Sequence, residues 1–241
     1  MGYRRLRLHK VQKTTSGIHT VRIVAFTDIH NAFETVDSSL SSESAFDVVV
    51  LGGDLTTFGT PEEARRGIEM MQRFGKPLVV VAGNMDPPEL DGEFTRLGVS
   101  VNARGVLING IGFFGVSAAP ISRLRTPNEI TEEEIEHRAE AGWKAVAGSS
   151  ATVFVPHAPP AKTKLDRTFA GLHVGSSAVR KAIETYQPDV VICGHIHEAR
   201  GTDRIGKSQM VNCGAAAKGY YAIVNIGAEN KIDLEMKRWE S

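Results

Sequence analysis

The chain has 241 residues, and its 28 lysines and arginines balance 28 aspartates and glutamates, so the formal net charge is zero. This balance argues against a global field that would attract nucleic acid or anionic lipid. The hydrophobic fraction of 41% is ordinary for a protein that buries a core, and no Pro/Gly/Ser-rich linker interrupts the sequence. We therefore expect one domain over residues 1–241.

The chain begins with a basic segment. Its first 13 residues contain Arg4, Arg5, Arg7, Lys10 and Lys13. This segment fits a basic arm for nucleic acid or membrane, but a solvated tail or a charged first strand over residues 1–20 is favoured. No apolar stretch typical of a signal peptide follows it, and no run is long enough to span a bilayer.

Short apolar runs and amphipathic segments predict the secondary structure that follows. The predicted strands are 21–26, 46–51, 78–82, 111–116, 151–155, 189–193, 209–212, 221–226 and 231–236. The predicted helices are 61–74, 131–147 and 175–187. The polar, serine-rich segment 31–45 gives only a weak helix signal. Alternating strands and helices with a strand-rich end predict an α/β architecture with an antiparallel contribution.

Polar residues mark the starts of the three predicted helices. Thr60, followed by a proline, is expected to cap the first helix. Thr131 and Glu134 have the spacing of a capping box, in which each side chain bonds the other's backbone amide. Ser176 or Ser177 is expected to cap the third helix.

Aspartate, asparagine and histidine residues, whose side chains can bind metal ions, follow five of the predicted strands. They are Asp28, His30, Asp54, Asn84, His157, His195 and His197. Ligands of open α/β sheets bind outside the carboxyl ends of the strands, so we expect these side chains to converge there. The D-x-H and H-x-H pairs are two residues apart, and extended backbone would point each pair to one side. The mixture of nitrogen and oxygen ligands suits manganese, iron, cobalt or zinc better than calcium or magnesium.

Each of these residues also has an ordinary structural explanation. Asp54 can serve a turn or a helix cap, Asn84 can be a left-handed turn residue, and His157 can be a satisfied core histidine. For any one residue the ordinary explanation is favoured. Their joint occurrence in this order, each after a strand, favours a metal site.

The order D-x-H, GD, GN-x-D, H and GH-x-H resembles that of the calcineurin-like metallophosphoesterases, from Asp28 to about Gly214. Four stretches further resemble the Icc-related branch of predicted phosphoesterases: 83–87, 157–160, 172–176 and 193–198. The family implies a two-sheet sandwich flanked by helices, the four-layer metallophosphoesterase fold. Pattern alone does not predict two sheets.

The resemblance divides the seven residues into two metal-binding sets with one shared carboxylate. The first set is Asp28, His30 and His197, the second is Asn84, His157 and His195, and Asp54 bridges the two ions. A carboxylate has two oxygens and can serve two cations, which an imidazole cannot. Two divalent ions clamp a phosphoryl group and supply a bridging hydroxide as nucleophile. Manganese is expected first, with iron, cobalt, zinc or nickel as alternatives.

Asp54, Asn84 and His173 are the catalytic candidates. His173 precedes a helix start whose amides can meet a phosphate oxygen, although a packing histidine explains it equally well. Asp86 is expected to orient a ligand or to cap a turn. Met85 occupies a position where many family members have histidine, and methionine cannot donate a proton to a leaving group.

The resemblance therefore implies hydrolysis of a small phosphodiester. A phosphomonoesterase is the alternative enzyme, and a metal-binding scaffold without catalysis is the alternative of another class. The expected partner is a small phosphate ester; we expect no membrane partner, disfavour nucleic acid and leave a homo-oligomer open. Cys193 and Cys213 are the only cysteines, and both are expected to be buried and reduced, which indicates a cytoplasmic protein.

Overall fold

A computed structural model describes residues 20–240, so nearly all of the predicted basic segment lies outside the described residues. The strands are β1 (Val21–Phe26), β2 (Val48–Gly52), β3 (Leu78–Val81), β4 (Gly105–Ile108), β5 (Ile111–Val116), β6 (Ala119–Pro120), β7 (Glu129–Ile130), β8 (Ala151–Pro156), β9 (Val190–Cys193), β10 (Gly201–Ile205), β11 (Ser208–Asn212), β12 (Tyr220–Ile226) and β13 (Ile232–Arg238). The helices are α1 (Phe33–Ser42), α2 (Pro61–Gln72), α3 (Glu89–Arg96), α4 (Glu132–Val146) and α5 (Ser177–Tyr186).

Two mixed sheets form the framework. The first has the order β13-β12-β1-β2-β3, and the second has the order β10-β11-β9-β8-β5-β4. Strands β1, β2 and β3 are parallel, as are β11, β9, β8 and β5, while the outer strands pair antiparallel. The parallel strands of each sheet therefore end at one edge, where ligands of such sheets bind.

The two sheets pack face to face because successive side chains of a strand point to opposite faces. On β1, Ile23 packs between the sheets with residues of β8 and β9, whereas Val24 packs in a separate cluster with α1, α2 and α3. On β8, Val153 faces the first sheet and Phe154 packs with α4 and α5. The layers are thus helix, sheet, sheet and helix, which confirms the predicted fold class.

The structure confirms the predicted helix caps with one correction. Thr60 forms a reciprocal capping box with the glutamate three residues later, and Ser176 accepts a hydrogen bond from an amide of α5. Thr131 accepts from the amide of Glu134, but the carboxylate of Glu134 pairs with Arg138, 2.7 Å away. Half of the predicted second capping box is therefore replaced by an ion pair one helical turn on.

Sequence periodicity gave only a weak signal for helix α1 and missed helix α3. Helix α1 lies in the segment with the weak helix signal, and its apolar residues Phe33, Val36 and Leu40 are buried beside α2. Helix α3 is short and buries only Leu90 and Phe94. Tertiary packing of a few apolar side chains stabilises both helices, although the intrinsic helix propensity of their sequences is weak. Within residues 20–240, no helix has both the length and the apolarity to cross a membrane.

Cys193 and Cys213 are both free and buried, and they lie side by side where β9 and β11 end. Burial raises the pKa of both thiols. We expect neither to react with a thiol reagent in the folded protein and both to react after denaturation, because the thiolate is the nucleophile. A Cys193–Cys213 link in mass spectra recorded without reductant would contradict this prediction.

Candidate metal centre

The structure brings all seven predicted metal-binding residues together. Each follows the carboxyl end of a parallel strand, β1, β2 or β3 in one sheet and β8 or β9 in the other. The residues in chain order are Asp28, His30, Asp54, Asn84, His157, His195 and His197. The centre therefore lies at the junction of the two sheets.

One cluster consists of Asp28, His30 and His197. Their ligand atoms all lie within 4.8 Å of one another. Nε2 of His197 is 3.3 Å from Oδ1 of Asp28 and 3.4 Å from Nε2 of His30. The Thr57 hydroxyl lies 2.9 Å from Nδ1 of His30, which orients Nε2 toward the cluster.

A second cluster surrounds the amide oxygen of Asn84. Oδ1 of Asn84 is 3.0 Å from Nε2 of His157 and 2.7 Å from Nδ1 of His195. Nδ1 of His157 lies 2.9 Å from the carbonyl oxygen of Gly52, a bond that places the proton on Nδ1 and leaves a lone pair on Nε2. Two lone pairs, on Nε2 and on the amide oxygen, then face each other. A cation between them relieves this repulsion, so the donor set fits a metal ion.

Asp54 faces both clusters with different oxygens. Its Oδ2 is 3.7 Å from Nε2 of His30, and its Oδ1 is 3.6 Å from Nε2 of His157. Oδ1 also accepts a hydrogen bond of 2.7 Å from the amide of Met85, which fixes the carboxylate plane. Its side chain is 3% exposed, so water does not satisfy these oxygens.

Burial and neighbouring groups together shift the pKa values of the site. Burial raises the pKa of Asp54 to about 7, with the charge of Asp28 adding to the effect and that of His157 opposing it. Burial also disfavours ionised Asp28, but hydrogen bonding and charge from His197 outweigh it and lower the pKa of Asp28. Burial lowers the pKa of His195 to about 3. A neutral imidazole beside buried carboxylates is the state that binds a cation.

Four of the seven residues have a left-handed backbone, which corrects the expectation of extended pairs. The φ angles of Asp28, His30, Asp54 and His195 are 54°, 49°, 50° and 69°. Such conformations cost residues other than glycine on the order of 1–3 kcal/mol. Backbone hydrogen bonds between the first two loops oppose this cost, among them His30 N to Asp54 O at 2.8 Å. The ligand pairs thus lie on tight turns past the strand ends.

Two glycines leave room for the carboxylates. A Cβ on Gly83 would collide with the side chain of Asp54, and a Cβ on Gly194 would collide with that of Asp28. The glycines of the GN-x-D and GH-x-H motifs therefore allow close approach of backbone to ligand.

Asp86 connects the loops after β2 and β3. Its carboxylate accepts hydrogen bonds from the amides of Leu55, Thr56 and Gly83, at 3.0, 2.8 and 2.9 Å, and from the Thr56 hydroxyl at 2.8 Å. Asp86 thus holds the loops of Asp54 and Asn84 together. The orienting role predicted from the sequence agrees with these contacts.

Asp86→Ala should lower the free energy of unfolding by about 3 kcal/mol or more, because it leaves three buried amides without an acceptor. Urea unfolding of the metal-free protein measures this. Asp233→Ala is the matched control, since Asp233 is exposed on β13 and its loss should change stability by less than about 0.5 kcal/mol. Equal effects of the two substitutions would contradict the prediction.

Sequence reasoning missed Asn128, which supports the Asn84 loop. Its side-chain amide donates to the carbonyl oxygen of Gly83, and its backbone amide donates to that of Asn84, both at 3.1 Å. Asn128 lies between β6 and β7, far from any motif in sequence. No local pattern indicates its role.

The structure places His173 in the loop before α5, and within residues 20–240 it makes no hydrogen bond to any of the seven residues. Its Nδ1 is 2.7 Å from Oδ1 of Asp166, a buried carboxylate that also accepts from three backbone amides. These bonds and that from His173 outweigh burial and lower the pKa of Asp166. The sequence did not single out Asp166, because nothing in its spacing relates it to the histidine.

Comparison with known proteins agrees with this geometry. The family model of the calcineurin-like phosphoesterases matches residues 21–199. The chain belongs to this family. It is 31% identical to an uncharacterized protein of Methanocaldococcus jannaschii, over 83% of this chain and 90% of that protein. It is 25% identical to a probable cyclic nucleotide phosphodiesterase of Synechococcus, over 71% of this chain and 65% of that protein.

A crystal structure from Thermus thermophilus shows the same fold. It superposes with a TM-score of 0.70 at 18% identity and covers 91% of this chain and 99% of the other. The family and the four-layer fold expected from the sequence are thus confirmed, and the similarity to a probable phosphodiesterase is consistent with the Icc-related branch.

Proposed function

We propose that this calcineurin-like phosphoesterase is a phosphodiesterase with two divalent metal ions. The observation that carries the proposal is the position of Asp54, whose two oxygens face two different clusters of ligand atoms. The first ion would be held by Asp28, His30 and His197, and the second by Asn84, His157 and His195. Two bound cations would supply a hydroxide nucleophile near neutral pH and neutralise the phosphoryl oxygens.

The protein's own residues prepare this site. The amide of His195 donates to Asp28 at 2.9 Å, so the same contact orients one ligand from each set. Two carboxylates against two divalent ions leave a net positive charge, which favours entry of an anionic phosphate ester. Asn84 contributes a neutral oxygen and so preserves that charge.

A phosphodiester is the proposed substrate class, and manganese is the first proposed metal. The similarity to a probable cyclic nucleotide phosphodiesterase supports the diester. The nitrogen and oxygen donors support a transition metal over calcium or magnesium. The free, buried cysteines support a reducing compartment such as the cytoplasm. We also propose that the described sheets and helices form one domain.

Removal of the metal tests the function. After a chelator has removed the metal, the protein should no longer hydrolyse bis(nitrophenyl) phosphate, and added manganese should restore this activity. The restored protein should hydrolyse the diester faster than it hydrolyses nitrophenyl phosphate. His157→Ala should prevent full reloading, whereas His137→Ala should not, because His137 is exposed on α4. Faster monoester hydrolysis would favour a phosphomonoesterase. Full metal content with no hydrolysis of either ester would favour the scaffold.

A further inference from the structure

Exposed apolar side chains concentrate on three loops. Eight large apolar residues among residues 20–240 are exposed, and six of them lie on segments 56–60, 120–128 and 167–174, here called the mouth loops. These six are Phe58, Ile121, Leu124, Phe169, Leu172 and Val174. Leu124 and Phe169 are the most exposed, at 82% and 92%. Scattered surface leucines are ordinary, but such a concentration indicates an interaction site.

The mouth loops adjoin the loops that carry the metal ligands. The amide of Phe58 donates to the carbonyl oxygen of Met85 at 3.0 Å, and that of Asn128 donates to the carbonyl oxygen of Asn84 at 3.1 Å. The amide of Phe169 donates to the carboxylate of Glu198 at 3.3 Å, directly after His197 in the chain. The mouth loops are therefore joined to ligand loops of both sheets, beside the metal centre.

The charge of the mouth loops differs from that of the whole chain. They contain Arg123, Arg125 and Arg167 and no acidic residue, whereas the chain is neutral. All three arginines are exposed. Three carboxylates adjoin these loops, and each accepts hydrogen bonds from them. Glu129 accepts from Ser122 and Thr126. Asp166 is buried and is bonded to His173 and to three backbone amides, and Glu198 accepts from the amide of Phe169. The apolar surface therefore has a basic border.

Phe58 adds a conformational observation. Its φ is 55°, and its ring is 63% exposed. A bulky residue in the left-handed region is strained, and strain of this kind concentrates at functional sites. The exposed ring gains little from packing within the chain, so its position is explained better by a partner.

We propose that the mouth loops dock the opening of the metal centre onto an anionic lipid surface. Leucine, isoleucine and phenylalanine side chains bury themselves at the boundary between headgroups and acyl chains, and arginines bind the anionic headgroups. Charge complementarity selects this occupant. A lipid surface can also present a phosphate ester to the metal centre, whereas a protein bound to all three loops would cover the centre.

The docking has one consequence for the substrate, and this consequence rests on the proposed function. The substrate would be a phosphodiester presented at the lipid surface, with an apolar group beside its phosphate. The docking itself does not depend on hydrolysis. It departs from the sequence-based expectation of no membrane partner, because the net charge of the whole chain averages out a local basic and apolar surface.

Sedimentation with lipid vesicles tests the docking. The full metal-loaded protein should bind vesicles of equal parts phosphatidylcholine and phosphatidylglycerol more tightly than phosphatidylcholine alone, and added salt should weaken this binding. Leu124→Ser, Phe169→Ser and Arg123→Glu should each weaken binding by roughly fivefold or more, as expected for about 1 kcal/mol per basic residue and similar losses of buried apolar area. Leu107→Ser is the matched control, because Leu107 is 60% exposed on β4, outside the mouth loops.

Equal binding to both kinds of vesicle, or an equal effect of Leu107→Ser and Leu124→Ser, would overturn the docking proposal. So would a dimer in solution that Leu124→Ser dissociates, because the surface would then belong to a second copy. Hydrolysis of soluble bis(nitrophenyl) phosphate is measured on the same samples. Its absence in the wild-type protein would overturn the proposed function and leave the vesicle result unaffected.

Discussion

Asp54→Asn is expected to lower hydrolysis of bis(nitrophenyl) phosphate by more than about 100-fold, together with bound metal. Substitutions of residues that only support metal ligands cost about 10–100-fold, so loss of a bridging ligand should exceed that range. Asparagine keeps the size of the side chain but replaces one oxygen with a nitrogen that has no lone pair to offer a cation. In the structure those two oxygens face different clusters, at 3.6 and 3.7 Å from the nearest imidazole nitrogens.

Asp47→Asn is the matched control for this experiment. Asp47 precedes β2, whereas Asp54 follows it. The carboxylate of Asp47 accepts a hydrogen bond of 2.8 Å from the amide of Arg22. Its asparagine variant keeps an acceptor oxygen and should retain metal and activity. Metal analysis and initial rates on both variants decide the outcome. An Asp54→Asn protein with full metal content and near wild-type rate would refute the bridging assignment.

The rate should depend steeply on the leaving group, with nitrophenyl diesters hydrolysed much faster than alkyl diesters. A departing alkoxide needs a proton or a charge partner, and a general acid contributes on the order of 10²–10⁴-fold. Met85 cannot donate a proton, and its described contacts to the site are through its backbone. Rates on a series of diesters with leaving groups of different pKa measure the dependence.

Variants at positions 85 and 173 identify the acid. Met85→His is expected to flatten the dependence, because an imidazole there can protonate the leaving oxygen. His173→Ala should leave the slope unchanged, since His173 has no hydrogen bond to the metal ligands within residues 20–240. A shallow slope in the wild-type protein that His173→Ala steepens would contradict this and make His173 the acid. Asp166 would then be its positioning residue, and Asp166→Asn should shift the pH profile of the reaction.

Periodicity predicted nine strands of the two main sheets, including β11, β12 and the edge strand β13, and missed two edge strands of the second sheet. Strands β1, β2, β3, β5, β8 and β9 correspond to predicted strands, because residues buried on both faces form continuous apolar runs. Strands β4 and β10 were missed. They are edge strands of the second sheet with partly exposed residues, so their sequences carry no continuous apolar run. Pairing with β5 and β11 stabilises them in place of burial.

The sequence by itself determined which seven residues are the candidate metal ligands, because residue type and position after a strand are local properties. It also predicted that both cysteines would be buried, since each lies at the end of a strand that looks buried, and both are buried in the structure. Only the tertiary structure decided how the ligands meet. The left-handed turns at Asp28 and His195 and the contacts of Asp86 and Asn128 depend on loops from distant segments. They are set by backbone hydrogen bonds and close packing, which a linear pattern does not record.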